Sequence, residues 1–98
     1  MYAIINRRRM NQARAQETLE RAARDFLPKL QQTPGFVSFS LVQGEDGVNT
    51  AVVFFESQAH AEAFRQEAGQ WGDTLDELGH QVESQGRGEV IQHLTPSA

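Results

Sequence analysis

Residues 34–56 read Pro-Gly-Phe-Val-Ser-Phe-Ser-Leu-Val-Gln-Gly-Glu-Asp-Gly-Val-Asn-Thr-Ala-Val-Val-Phe-Phe-Glu, and this stretch decides the fold. It holds two runs rich in aromatic and β-branched residues, separated by a turn with glycine and aspartate at 44–47. That pattern predicts an antiparallel hairpin. The second run, Val48 to Phe55, is nearly continuous in apolar residues, so we expect a central strand with both faces buried.

The chain before the hairpin begins with an alternating segment. Over 2–10 every second side chain faces the same way, which predicts a first strand. Asn6 then shares a face with Tyr2 and Ile4. A polar amide inside an apolar alternation needs a hydrogen-bond partner.

A helix is expected between this strand and the hairpin. Asn11 is a suitable N-cap, and helix formers dominate over 12–32, where apolar residues repeat at spacings of three and four. Pro28 lies inside this pattern, where it removes a backbone donor and is expected to kink the helix or shorten its last turns.

A second helical region follows the hairpin. Ser57 is suited to cap a helix over 58–67, and a further helical piece carries Trp71 four residues before Leu75. Gly79 suits the end of that piece.

A last strand is predicted from Val82 to Leu94, with a frayed tail over 95–98. Gly86 and Gly88 interrupt its alternation, which suggests a bulge or a close backbone approach.

The resulting order is strand, helix, strand, strand, helix, strand. This is the ferredoxin-like βαββαβ topology of the α+β class, a four-stranded antiparallel sheet with the helices on one face. A length of 98 residues predicts one domain over 1–98. If Val37, Phe39, Val53 and Phe55 point away from the helices, the sheet exposes an apolar patch that a two-fold dimer would cover.

The composition excludes several kinds of site. The chain has no cysteine, which excludes disulfides, thiolate metal sites and a cysteine nucleophile. Its three histidines, His60, His80 and His93, are scattered, so no dedicated metal site is expected.

The net charge of −4 conceals an asymmetry between the two parts of the chain. Residues 1–33 hold seven basic and three acidic residues, whereas residues 34–98 hold two basic and ten acidic residues. The triplet Arg7-Arg8-Arg9 is too short to indicate a nucleic-acid site, and we expect it to be solvated or salt-bridged.

The first nine residues, Met-Tyr-Ala-Ile-Ile-Asn-Arg-Arg-Arg, place their charge after a short apolar run, the reverse of a signal peptide. No apolar stretch approaches membrane-spanning length. We therefore expect a soluble cytoplasmic protein with neither membrane nor nucleic acid as a partner.

Two segments carry a resemblance to a known family: Pro-Gly-Phe-Val-Ser-Phe-Ser-Leu-Val at 34–42, and Asn-Thr-Ala-Val-Val-Phe-Phe-Glu-Ser-Gln-Ala-His-Ala-Glu-Ala-Phe at 49–64. They resemble the antibiotic biosynthesis monooxygenase domain of the dimeric α/β barrel superfamily, over nearly the whole chain. The resemblance implies a homodimer. That superfamily includes cofactor-independent quinone-forming monooxygenases, haem-degrading oxygenases, isomerases and members without known activity, so the fold leaves the function open.

The resemblance also implies a site between the sheet and the helices, formed by a first-strand Asn, a second-helix Trp and sometimes a His. Asn6 matches the Asn, and its amide could stabilise enolate charge on a substrate. The alternative is an amide satisfied by nearby backbone.

Four further residues complete the predicted site. Trp71 either stacks on a flat aromatic substrate or simply packs in the core. Phe26 and Phe64 are expected as pocket walls, although Phe64 stands where the haem-degrading members have their Trp, and their axial His has no equivalent. His80, in a loop after Gly79, is the candidate base near the pocket mouth.

Two hypotheses follow. The first is a homodimeric monooxygenase without a cofactor, acting on a flat aromatic or quinol-like substrate; it predicts a cavity of a few hundred cubic ångströms with few polar groups, on the order of an ordinary ligand pocket. The second is a non-catalytic dimer that binds a small apolar ligand or acts as a stress or accessory protein; it predicts a filled cavity and an internally satisfied Asn6. A haem-binding or haem-degrading oxygenase is a further alternative.

Overall fold

The computed structural model describes residues 1–97, and Ala98 lies outside the described residues. The elements in chain order are β1 (Tyr2–Arg9), α1 (12–31), β2 (Phe36–Gln43), β3 (Val48–Phe55), α2 (Gln58–Glu67), α3 (Gly69–Glu77) and β4 (Gln81–Glu89). The four strands form one antiparallel sheet in the order β2-β3-β1-β4. This is the predicted ferredoxin-like α+β fold, with the predicted hairpin and with β3 as an inner strand. The expectation that both faces of β3 are buried is wrong, because only Val48, Val53 and Phe55 of its residues are buried. Within residues 1–97 no helix combines the length and apolar character needed to cross a membrane.

The core lies between the sheet and the helices. Its buried side chains are Tyr2, Ile4, Leu30, Val53, Phe55 and Ala61. The expectation that Phe39, Val53 and Phe55 could point away from the helices is wrong, because the register places Val53 opposite both Ile4 and Phe39. Phe55 is fully buried and packs against Phe64, with 5.2 Å between ring centroids.

The other face of the sheet is nevertheless apolar. Side chains on this face include Ala3, Ile5, Val52 and Phe54, and Ile5 is 42% exposed. The apolar outer face was therefore predicted correctly, but most of the residues proposed for it were wrong.

The last strand differs from its prediction. It ends at Glu89, and residues 90–97 have no regular secondary structure, so the predicted strand was five residues too long. The β1–β4 register skips from Ser84 to Val82, which places the bulge at Glu83. A side chain at Gly86 or Gly88 would meet nothing within 4 Å, so neither glycine marks a close approach.

Helix α1 continues through its proline. Asn11 caps it by accepting a hydrogen bond from the Ala13 N–H at 3.3 Å. Just before Pro28 the helix widens into a π segment, Ala22–Phe26, closed by a bond from the Leu27 N–H to the Ala22 carbonyl. This wider turn accommodates a residue that cannot donate a hydrogen bond, so the helix extends to residue 31 instead of ending at the proline.

The junction between α1 and β2 depends on a glycine. Gly35 has φ +78°, and a Cβ atom there would clash with the ring of His60. We expect Gly35→Ala to lower the free energy of unfolding by about 2 kcal/mol, measured by urea denaturation, since both left-handed backbone and overpacking are unfavourable. The control is Gly86→Ala, which has open space and should change stability by less than about 0.5 kcal/mol. Equal effects of the two substitutions would contradict this explanation.

Candidate active site

A cavity of about 910 Å³ lies between the helix-facing side of the sheet and the helices. Its lining includes residues of all four strands and of α1, α2 and α3. The volume exceeds the few hundred cubic ångströms that were expected, and the cavity is lined by more polar residues than expected. It is large enough to enclose a flat ligand of several rings.

One wall of the cavity is aromatic. Trp71 stacks on Phe26 with 5.2 Å between ring centroids and 9° between planes. Phe26 also contacts Phe39 and Phe64, at centroid distances of 6.0 and 6.2 Å. All four rings line the cavity, so the three aromatic residues predicted for the site, Trp71, Phe26 and Phe64, do lie together. Trp71 is half-buried, lies outside the buried core and lines the cavity beside Phe26.

The sheet contributes polar as well as apolar side chains to the cavity lining. The polar residues that line the cavity from the strands are Asn6, Arg8, Gln43, Asn49, Gln85 and Arg87. The Asn6 amide is half-buried, and no hydrogen bond to it is found within residues 1–97. The expected alternative, an amide satisfied by nearby backbone, therefore does not describe this structure.

Asn49 is a site residue that the sequence reasoning missed. Its side-chain oxygen is buried and has no hydrogen-bond partner in the part of the chain that the structure describes. Asn49 lies opposite Arg8, two positions along from the partner of Asn6, so the two asparagines are diagonal neighbours on adjacent strands. Asn49 alternates with Ala51 and Val53, which could have indicated that it faces the helices. The nearly continuous apolar run of β3 drew attention away from this polar residue.

The Arg8 side chain is held in place by two hydrogen bonds. Its guanidinium donates to the Asp76 carboxylate at 2.7 Å and to the His80 carbonyl at 2.9 Å. Arg9 similarly binds Glu83 at 2.8 Å. The arginine triplet is thus partly salt-bridged, one of the two expected states.

His80 does not line the cavity, but it contacts Thr18, which does. It is buried, and its Nδ1 accepts a hydrogen bond from the Asn11 N–H at 2.9 Å. Its Nε2 therefore carries the proton of the neutral ring and donates to Thr18 Oγ1 at 2.6 Å, while that hydroxyl donates to the Arg14 carbonyl at 2.8 Å. Burial lowers the pKa of His80, and the charges of Arg8 and Arg14 lower it further. The expected position at the pocket mouth is wrong, because the ring fills the space between α1 and the loop before β4.

The other histidines are also away from the cavity. The His60 ring binds Ser57 Oγ at the start of α2, and the His93 ring packs on Phe54 on the outer face. Within the described part of the chain no histidine lines the cavity, so the residues present do not offer the axial histidine of a haem site. No group of three potential metal ligands occurs among residues 1–97.

Several solved structures share this fold, among them the three that follow. The cofactor-independent oxygenase SnoaB of Streptomyces nogalater has a TM-score of 0.72 and 17% identity, with 97% of each chain covered. The haem-degrader MhuD of Mycobacterium tuberculosis has a TM-score of 0.65 and 19% identity, covering 97% of this chain and 100% of that one. A dimeric ferredoxin-like protein from an uncultured marine organism has a TM-score of 0.66 and 13% identity, covering 97% and 98%. At these identities the similarity shows the fold alone.

Sequence comparison goes further than the structural comparison. No curated protein gave a significant match. The model of the family described as antibiotic biosynthesis monooxygenase matches residues 1–70, which include the whole hairpin and both Asn6 and Phe64. The chain therefore belongs to the antibiotic biosynthesis monooxygenase family.

Proposed function

We propose that this protein is a homodimeric, cofactor-independent monooxygenase that acts on a flat aromatic or quinol-like substrate. One observation carries the proposal: Asn6, whose amide has no hydrogen-bond partner among residues 1–97, lines the same large cavity as a cluster of aromatic rings that includes the stacked pair Phe26 and Trp71. Trp71, Phe26 and Phe64 would hold the rings of the substrate by stacking. Membership of the family and the shared fold with SnoaB, a cofactor-independent oxygenase, support it.

The chemistry needs little from the protein. A flat ketone such as anthrone loses a proton from its methylene group to form an electron-rich enolate, which reacts with dioxygen. The methylene becomes a carbonyl, one oxygen atom enters the product, and the other leaves as water, so the substrate supplies all the electrons. The amide N–H of Asn6 would donate to the enolate oxygen and favour the anion.

Oxygen uptake with anthrone tests the proposed function. We expect saturable oxygen consumption above the spontaneous rate, and a several-fold rise in KM in Trp71→Leu, since that change removes one side of the stacking wall. The control is His93→Ala on the opposite face of the sheet, which should leave KM unchanged. Saturable binding of anthrone without oxygen uptake would favour the non-catalytic alternative.

The non-catalytic and haem alternatives have less support. The non-catalytic alternative predicted a filled cavity and an internally satisfied Asn6, and neither is found within residues 1–97. The haem alternative is favoured by the fold shared with MhuD, but no histidine of the described residues lines the cavity to serve as a haem ligand.

The dimer would form through the outer face of the sheet. Ile91 and Leu94, in the segment after β4, are 91% and 96% exposed, and Ile91 lies next to the apolar residues of that face. Such a surface is unfavourable in water and is covered when two copies pack face to face. The shared fold with a dimeric ferredoxin-like protein supports this arrangement.

The double substitution Ile91→Ser and Leu94→Ser tests the dimer. We expect the dissociation constant to rise at least about tenfold, because each side chain contributes roughly 1.5–3 kcal/mol when it is buried. Light scattering over a dilution series measures the effect, with Gln92→Ser in the same segment as the control. A wild-type monomer, or an unchanged dimer in the double variant, would contradict this interface.

A further inference from the structure

The charged residues that line the cavity are all of one sign. They are Arg8, Arg65 and Arg87, and no aspartate, glutamate, lysine or histidine lines the cavity in the described part of the chain. The protein as a whole has the opposite balance, with 13 acidic and nine basic residues. The positive lining is therefore a property of this site and not of the overall composition.

The acidic partners of these arginines compensate them unequally. Arg8 is paired one to one with Asp76 at 2.7 Å. Arg65 and Arg87 share the single carboxylate of Glu62, at 3.1 Å and 3.8 Å. Two guanidinium groups facing one carboxylate leave an excess of one positive charge at this end of the cavity.

Arg87 is the less compensated of the two. Its distance of 3.8 Å from Glu62 is too long for a hydrogen bond, whereas Arg65 makes one. Arg87 lies opposite Ile4 on the edge strand β4. Its side chain lines the cavity and is 44% exposed, so Glu62 leaves part of its guanidinium uncovered.

We propose that the ligand of this cavity is a flat aromatic carboxylate, and that Arg87 binds its carboxylate group while the aromatic wall holds its rings. This inference rests on the proposed function, which it deepens by naming the charge of the substrate. A guanidinium matches a carboxylate through two parallel N–H···O bonds, and such a pair fixes the orientation of the ring system as well as its position. Asn6, on the neighbouring strand, would then meet the reacting end of the ligand.

Binding of an isosteric pair of probes tests the proposal without turnover. Calorimetric titration compares 2-naphthoate with 2-naphthamide, which has the same shape and no charge. We expect the carboxylate to bind roughly five- to tenfold more tightly, a charge-assisted bond reduced by the partial exposure of Arg87. Raising the salt concentration should reduce the ratio of the affinity for 2-naphthoate to that for 2-naphthamide, because salt screens the charge of Arg87.

Variants assign the preference to Arg87. Arg87→Met should abolish the preference for 2-naphthoate while leaving the affinity for 2-naphthamide unchanged. Glu62→Gln should increase the preference for 2-naphthoate, because it removes the carboxylate that competes for Arg87. Arg24→Met, a surface arginine paired with Asp25, is the control and should change neither affinity. Circular dichroism checks that each variant is folded.

The outcomes separate this inference from the proposed function. Equal binding of the two probes by the wild type, or an unchanged preference in Arg87→Met, would overturn the inference even if anthrone is oxidised. A preference that depends on Arg87, in a protein that consumes no oxygen, would support the inference and contradict the monooxygenase. Binding of neither probe would overturn the inference.

Discussion

Replacing Asn6 by alanine is expected to lower kcat for anthrone oxidation by about a hundredfold. Removing one preorganised donor from a developing oxyanion typically costs a factor on that order. The KM should change little, because ring binding depends on Trp71 and its aromatic neighbours. Oxygen uptake at saturating anthrone measures the effect.

The same variant distinguishes a catalytic amide from a structural one. Asn6 has no hydrogen-bond partner within residues 1–97, so its removal leaves no other group unpaired, and stability should change by less than about 1 kcal/mol. The matched control is Gln43→Ala, another amide of the cavity lining but on the edge strand β2, which should keep kcat within a few-fold. A rate in Asn6→Ala within a few-fold of the wild type, together with a large loss of stability, would assign Asn6 a structural role.

Replacing His80 by alanine is expected to lower the free energy of unfolding by about 3 kcal/mol. The change empties a buried site and leaves the Asn11 N–H and the Thr18 hydroxyl without their partner. These groups connect the start of α1 to the loop before β4, two parts of the chain that are more than 60 residues apart in sequence. Urea denaturation measures the loss, and His93→Ala is the exposed control.

His80 also makes stability depend on pH. Its pKa in the folded protein is lowered from the ordinary value of 6.5, so the unfolded chain takes up a proton more readily than the folded one. The stabilisation is fully present above pH 6.5 and is lost as the pH falls from there towards the lowered pKa. We expect this slope in wild type and in His93→Ala but not in His80→Ala. A stability that is flat below pH 6.5 in all three proteins would contradict this assignment.

Activity separates the structural role of His80 from the catalytic role expected from the sequence. Because Thr18 lies between the imidazole and the cavity, the folded His80→Ala protein should keep kcat within a few-fold. A fall of a hundredfold or more with unchanged stability would instead identify His80 as the general base.

Local signals were sufficient to predict the elements and their order. The cap residues Asn11 and Ser57 and the helix-ending Gly79, at φ +85°, act within a few residues of their own positions. The apolar run of β3 similarly identifies an inner strand without reference to the rest of the chain. Given this order, the ferredoxin-like topology is the expected way to cover the sheet.

The faces of the strands could not be predicted from alternation alone. In β2 the pairing moves from Phe36 opposite Phe55 to Ser38 opposite Phe54, so Val37 is an extra residue. One inserted residue reverses which side chains face the helices, and β2 therefore presents both Phe36 and Phe39 to the core.

The candidate site was only partly predictable for a related reason. Asn6 and Trp71 were proposed because they match the first-strand Asn and second-helix Trp that the family resemblance implies, and the fold brings both to one cavity. Asn49 and Arg87 stand out only through their surroundings: a buried oxygen with no hydrogen-bond partner among residues 1–97, and a guanidinium that shares its carboxylate. The burial of His80 depends on contacts with α1 that its own loop does not encode.

The central claim, a monooxygenase that needs no cofactor, is tested most directly by oxidising anthrone under isotopically labelled dioxygen with purified, metal-free protein. Mass spectrometry of the product should find one labelled oxygen atom in each molecule, formed faster than in the absence of protein and about a hundredfold more slowly with Asn6→Ala. A product without label, or formation at the spontaneous rate by the wild type, would contradict the account.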